Sequence, residues 1–196
     1  MVADQTLDNR AEIILQSKKF YLQYTAIFFL HDRITWERYK MRSYFTINSP
    51  VGNLTLTDED NRLTGLSFGA IAPFGATNRI TPIIEETANQ LKQYFEGARK
   101  KFDIPISFKT VSRFSSEVLK FLLTVPYGET ATYSDAAAFA GQAKAVRAAG
   151  RAISRNPIAI IIPCHRIIGK NGSLTGFNGG LEIKKFLLTL EGIPFI

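Results

Sequence analysis

Three features of the 196-residue chain predict an α+β fold in two parts: apolar residues that alternate with polar ones over 44–68, a capped amphipathic helix opening at Thr81, and a late helix pair joined by a short Gly-containing turn. The first part reads as a small β-sheet plus helix over 42–110. The second, 111–196, reads as an all-α helix-turn-helix domain of winged-helix-like type. Residues 1–41 form an N-terminal extension of unknown role.

Phe45/Ile47, Leu54/Leu56 and Leu66/Phe68 are the inward faces of three half-buried strands. Pro50–Asn53 and Asp58–Asn61 supply the turns. Thr81 is placed as an N-cap with Pro82 at the first helical position, Ile84, Ala88, Leu91 and Phe95 as the apolar stripe, and Gly97 as the stop. Arg99-Lys100-Lys101 and the extended segment to about Thr110 read as a linker. Phe114, Val118, Phe121 and Leu122 mark the next helix, stopped near Pro126. Thr132 and Asp135 stand at capping-box spacing before a short helix that Gly141 ends. A third helix is predicted from about Lys144 to Arg155, terminated by Asn156-Pro157. An apolar run over Ile158–Ile162, a Gly-rich loop over Gly169–Gly180 and a last helix over Leu181–Leu190 complete the pattern.

Composition narrows the function classes. The net charge is +7, and five of those charges fall within residues 111–196, where a polyanion would dock. The single cysteine excludes an internal disulfide and a Cys-rich zinc site, and only two histidines accompany it; no metal and no cofactor are expected. Phe20–Leu30 is far shorter than the ~20 residues a spanning helix needs, so no membrane role is expected. Lys18-Lys19 could open a signal sequence, but Asp32, Arg33 and Glu37 follow with no small-residue cleavage site.

Lys144, Arg147, Arg151 and Arg155 share one stripe of the third helix, with Ala145, Ala148 and Ala152 beside it and Val146 and Ile153 opposite for the core. Such a stripe is either a solvated basic face or a phosphate-binding one. The helix pair and the local charge excess favour the second, with backbone tracking rather than base-edge reading. Cys164 has two readings as well: a buried structural thiol, or a nucleophile whose proton a neighbouring His takes directly or through a water.

Ile162-Pro163-Cys164-His165-Arg166-Ile167-Ile168 resembles the active-site signature of the O6-alkylguanine-DNA alkyltransferases, the methylated-DNA–protein-cysteine methyltransferases. Val125-Pro126-Tyr127-Gly128-Glu129, Thr132-Tyr133, Ala145–Gly150 and Asn156-Pro157 match upstream in order and spacing. Gly176–Leu181 and Leu187–Gly192 match downstream. The resemblance covers about Phe114 to Gly192; residues 42–110 fit only in outline.

The resemblance implies DNA repair by direct damage reversal, with an alkyl group passing irreversibly from O6 of guanine to Cys164; O4-alkylthymine is left open as a second substrate. It implies that His165 acts through a water as base, that Glu191 holds its tautomer, and that this order makes thiolate available near neutral pH. Arg147 would fill the space of the flipped base, with Lys144, Ala148 and Arg151 on the DNA face. Tyr133 would help rotate the nucleotide and offer a proton toward N3. Asn156 would brace the turn ahead of an active-site strand. The carbonyls of Cys164 and Ile167 would accept from the guanine amine and the amide of Asn178 would face O6, with Phe177 and Gly179 lining the pocket. Double-stranded DNA carrying O6-alkylguanine is the implied partner of a monomer that requires no protein partner. Its place is intracellular: cytoplasmic in a prokaryote, nuclear in a eukaryote. Phe177 stands where Tyr is frequent in the family, Asn178 replaces a Ser found in some members, and the cysteines of the zinc site some members carry are missing.

Other readings remain for single residues. Glu191 could merely end a helix, Tyr133 could be a core aromatic, Asn156 a cap before Pro157, and Arg166 a surface or ion-pair residue. Two other functions compete: a non-catalytic relative that binds alkylguanine and recruits repair factors, and a cysteine hydrolase or plain helix-turn-helix regulator. A non-catalytic relative would carry another residue, often Trp, in place of Cys164. A hydrolase would need an oxyanion hole for which no motif is present. Met41 directly precedes the first strand, as expected if the true start lies there. Detection of peptides from residues 1–40 in the native organism would refute that.

Overall fold

A computed structural model describes residues 42–109 and 112–194. The extension 1–41, with the helix expected within Leu7–Leu30, lies outside the described residues. β1 (Arg42–Ser49), β2 (Gly52–Glu59) and β3 (Arg62–Phe68) form an antiparallel meander, and the short β4 (Thr77–Asn78) runs parallel to β1, giving the order β3-β2-β1-β4. Asp60 and Asn61 both take positive φ in the β2–β3 turn, which short polar side chains tolerate and which matches the strand twist. Leu54, Leu56, Leu63 and Leu66 are buried, with α1 (Pro82–Phe95) packed against the sheet.

The Thr81 hydroxyl caps α1 by accepting from the Ile84 amide, as predicted. Ile84 and Leu91 face the core, but Ala88 and Phe95 are only half-buried, and the deep aromatic is Tyr94. A buried phenol needs a partner for its hydroxyl. Tyr94 finds one in Glu191, 97 residues away, which a periodicity argument cannot see. The predicted linker is also more than a linker. The Leu63 amide donates to the Pro105 carbonyl and Ser107 donates to Leu63, so Ile106 covers the open edge of β3.

α2 (Arg113–Leu122) ends ahead of Pro126. β5 (Ala131–Thr132) leads into α3 (Tyr133–Phe139), whose Thr132–Asp135 capping box forms as predicted. α4 (Val146–Ser154) completes the helix-turn-helix but starts later than expected, leaving Lys144 in the turn before it. Its core face is Ala149, Ala152 and Ile153. Val146, predicted as core, is 36% exposed in the first turn, and Ala152, predicted beside the basic stripe, is buried.

No strand forms over 158–162, so the active-site strand that the resemblance implies after the Asn156 turn is absent from this apolar run. The segment is a buried turn that docks on β3: Leu66 donates to the Pro157 carbonyl and Ala159 donates to Leu66. Ile160 sits at φ 67°, a costly conformation for a β-branched residue, and nearby backbone hydrogen bonds hold it there. The chain then makes a 3-10 turn at Cys164–Arg166 and continues as β6 (Ile167–Ile168) parallel to β5, so the helical C-terminal part includes a two-stranded ribbon. α5 (Leu181–Leu190) follows the Gly-rich loop as predicted.

Candidate active site

Two buried turns place Cys164. The Asn156 side-chain amide donates to the Ile162 carbonyl at 2.7 Å and to the Cys164 sulfur at 3.1 Å, while its oxygen accepts from the Ile158 amide. Asn156 thus closes the turn around 158–162 and fixes the sulfur at its exit, which carries the bracing expectation with a turn in place of a strand. Cys164 is 6% exposed and lines a cavity of about 140 Å³. Ile153 and Ser154 of α4, Asn156, Phe177, Asn178, and Ser67 and Phe68 of β3 share its lining. Burial pushes the Cys164 thiol up, and the Asn156 hydrogen bond, nearby backbone amides and the charge of Lys184 pull it back only in part. Burial therefore favours the thiol form of the sulfur.

Behind the sulfur lies a fully buried polar network. His165 Nε2 is 2.8 Å from Glu191 Oε1, which assigns the ring proton to Nε2 and leaves Nδ1 as the basic atom; Nδ1 has no protein partner among the described residues. Glu191 caps α5 and also accepts from the Tyr94 hydroxyl at 2.8 Å, from Arg166 Nε and Nη2 at 2.9 and 3.0 Å, and from the Gly128 amide at 3.3 Å. Burial pushes the Glu191 carboxyl up, but its bonds to His165 and Arg166 outweigh that and hold it at about 2. Burial also lowers His165, against the pull of Glu191, so the imidazole rests neutral. Arg166 is a buried ion-pair residue, not a surface one; it donates to the Val125 carbonyl as well.

The Gly-rich loop closes the other side. The Tyr133 hydroxyl donates to the Thr175 carbonyl at 3.0 Å, and the buried Lys184 ammonium donates to the same carbonyl and to that of Ile167. Both carbonyls expected to meet an incoming amine are thus already engaged: Ile167 by Lys184, and Cys164 by the Ile167 amide. Phe177 stands edge-on to Phe68, with ring centroids 5.5 Å apart. Gly179 lies against that ring, where a Cβ would come within 2.8 Å of Phe68 and 3.0 Å of Phe177. The structure therefore brings Cys164, Asn156, Phe177 and Asn178 to one cavity, with His165, Glu191, Ile167 and Tyr133 around it.

The basic residues lie outside it. Lys144, Arg147 and Arg151 are exposed. Arg151 and Ala148 line a separate hollow of about 310 Å³ with Arg155, Lys109, Ser112 and Ser115, between α4 and the start of α2. Tyr94 and Lys184 contribute to the site without having been singled out in the sequence, and Phe68, read there only as an inward strand residue, contributes too. A lysine that recurs with apolar neighbours on a helix face is the one local signal that could have flagged Lys184. Among the described residues no group of three His, Cys, Asp or Glu side chains could hold a metal, and no helix is long and apolar enough to cross a membrane.

An α+β chain with a lone cysteine at the floor of a cavity beside a basic helix-turn-helix defines a class that joins a helix-turn-helix to a cysteine-lined pocket. Comparison with known proteins makes this particular. Residues 43–108 match the family model of the 6-O-methylguanine DNA methyltransferase ribonuclease-like domain, and residues 113–193 that of its DNA-binding domain. The constitutive methylated-DNA–protein-cysteine methyltransferase of Bacillus subtilis is 40% identical, covering 79% of this chain and 98% of its own. The Methanosarcina acetivorans methylated-DNA–protein-cysteine methyltransferase is 41% identical over 76% of this chain and 97% of its own. A crystal structure of the Mycobacterium tuberculosis enzyme in complex with DNA superposes with a TM-score of 0.71 at 42% identity, covering 76% of this chain and 92% of that one. The chain belongs to the methylated-DNA–protein-cysteine methyltransferase family.

Two predictions follow the geometry. Gly179→Ala overpacks the Phe68–Phe177 contact and should lower stability by ~1–3 kcal/mol in urea unfolding. Adding Phe68→Ala should cost less than the two single effects combined, because the clash is shared; strict additivity would show that Phe68 does not confine the loop. Glu191 has a folded pKa below its unfolded one, so its contribution is complete above pH 4.5 and lost as pH falls toward 2. The shift corresponds to roughly 3 kcal/mol. Unfolding measured from pH 6 down to pH 2 should show that fall. Glu191→Gln should be less stable at pH 6, with Arg166 left unpaired, and flatter across the window.

Proposed function

We propose that the chain repairs alkylated DNA by direct reversal, passing an alkyl group from O6 of guanine to Cys164 once per molecule. The observation that carries this reading is the opening of the Cys164 sulfur into a cavity partly walled by α4 of the helix-turn-helix, with His165 and Glu191 behind it.

O6 is stacked inside duplex DNA, so the nucleotide must leave the helix, at a cost of a few kcal/mol that an ill-paired alkylguanine reduces. The Lys144–Arg155 face draws in the phosphates, with Ala148 and Arg151 beside the backbone and Arg147 taking the place of the flipped base. In the cavity the guanine lies between Phe177 and the Cys164 turn, with the Asn178 amide toward O6, Gly179 behind the loop, and its amine toward the carbonyls of Cys164 and Ile167. His165 Nδ1, through a water, takes the thiol proton, and Glu191 fixes the tautomer that makes this feasible. The sulfur attacks the alkyl carbon while Tyr133 offers a proton to N3 of the departing guanine. The thioether formed has no easily expelled group, and the chain has no second cysteine to regenerate it.

The partner is double-stranded DNA carrying O6-alkylguanine, met by a monomer without a required protein partner, wherever in the cell the genome is kept. Cys164 argues against a non-catalytic alkylguanine binder. Incubation with an O6-methylguanine oligonucleotide and mass mapping of the Cys164 peptide tests the reading: a one-methylene gain is expected, and binding without gain would overturn it. Cys164→Ser should abolish transfer while leaving binding within a few-fold. Arg147→Ala should slow transfer at least tenfold, and an unchanged rate would remove its flipping role.

A further inference from the structure

A buried ammonium is costly unless a negative charge faces it. Lys184, the fourth residue of α5, has no exposed surface, and its Nζ donates to the carbonyls of Ile167 and Thr175. Neither acceptor is charged, and none of the ion pairs among the described residues includes Lys184. On its own helix, Glu182 pairs with Lys185 at the surface. The titratable groups that bear on Lys184 are Cys164 and His165, both from the 3-10 turn; Arg166 and Glu191 stand behind His165, already paired with each other. Of these neighbours, only Cys164 can become an anion that has no partner of its own.

We propose that Lys184 is a positioning residue for the transfer: its ammonium is the counter-ion of the Cys164 thiolate, and the same group clamps the pocket loop to the active-site turn. The proposal rests on the alkyl-transfer reading above and supplies what that reading lacks, a reason why a sulfur so buried ionises. Burial lowers Lys184 to about 8 while the charge on Cys164 works to raise it, and the reverse holds at the sulfur, where Lys184 opposes the effect of burial. Each group therefore favours the charged form of the other.

The step balances. The thiol proton passes to His165. The sulfur lone pair forms the S–C bond as the C–O6 bond breaks with its electrons on guanine, which takes the proton of Tyr133; the proton on His165 then restores the phenol. Lys184 keeps its proton throughout and loses only the negative charge it faces. The Thr175 carbonyl accepts from Tyr133 and Lys184 alike, so it stays satisfied when the Tyr133 hydroxyl turns to the base.

Because the chain has one cysteine, labelling cysteine with 13C at Cβ gives a single resonance that reports the thiolate without DNA. Lys184→Met keeps the unbranched stem and removes the charge. Its Cys164 titration midpoint should rise by about one unit or more, with methyl transfer slowed about tenfold at pH 7 and converging on the parent at higher pH. An unchanged midpoint, or a loss of rate that is the same at every pH, would overturn the counter-ion role. If Lys184→Met does not fold, the Lys184 Nζ resonance is followed in the parent and in Cys164→Ser. Lys184 should titrate at lower pH once the ionisable sulfur is gone, and an identical titration would overturn the proposal. Failure of the parent to accept a methyl group would strike the alkyl-transfer reading while leaving the titration result standing.

Discussion

Glu191 is a carboxylate withdrawn from water, and the half of the molecule that holds the site is arranged to keep it ionised. An isolated buried carboxylate would take up a proton. Here Arg166 supplies the opposing charge in a two-point contact, Tyr94 and the Gly128 amide supply further donors, and His165 completes the set. Neutralisation by Arg166 has a consequence for His165. A bare carboxylate would raise the imidazole and protonate it; one already paired fixes the tautomer while leaving the ring neutral and able to accept. Burial is the larger cause of that neutrality, and Arg166 adds to it by opposing the pull of Glu191.

The sulfur poses the opposite problem. A close-packed turn with a strained Ile160 holds Cys164 at one point of the cavity floor. The same packing removes water and disfavours the anion. Asn156 and the backbone amides oppose that effect at the sulfur without holding a formal charge, and among the described residues the charge of Lys184 opposes it too.

Much of this was legible in the sequence where the signal is local. The Thr132–Asp135 capping box, the Thr81-Pro82 helix start, and the Leu181–Leu190 helix follow from short-range hydrogen-bonding rules and appear as expected. The Cys164-His165 pair with Glu191 was legible through motif order. What failed was whatever depends on distant partners. Phe95 looked better than Tyr94 as a core residue because periodicity ranks apolarity and cannot know that a carboxylate awaits a phenol. Ile158–Ile162 reads in the sequence only as an apolar run, which a buried turn satisfies as well as a strand once β3 exchanges backbone bonds with it. Val146 fits the core face by spacing but lies in the first turn of α4, where Ala149 is the first residue to be covered.

Two of those failures share a direction: the partners of Tyr94 and of the 158–162 turn are set by contacts with the sheet and helix of residues 42–109. Leu66 fastens the turn that ends at Cys164, Phe68 backs Phe177 and Gly179, and Tyr94 reaches Glu191. The motifs all lie in the C-terminal part, which invites the view that the N-terminal part is an appendage. The contacts say otherwise. β3 supplies one wall of the cavity and the edge on which the active-site turn is hung, while α1 supplies a donor to the carboxylate that orients the imidazole. These contacts need apolar area, a free strand edge and one phenol, which many sequences provide, so residues 42–109 carry few short motifs to read by eye even though 43–108 match the family's N-terminal domain model.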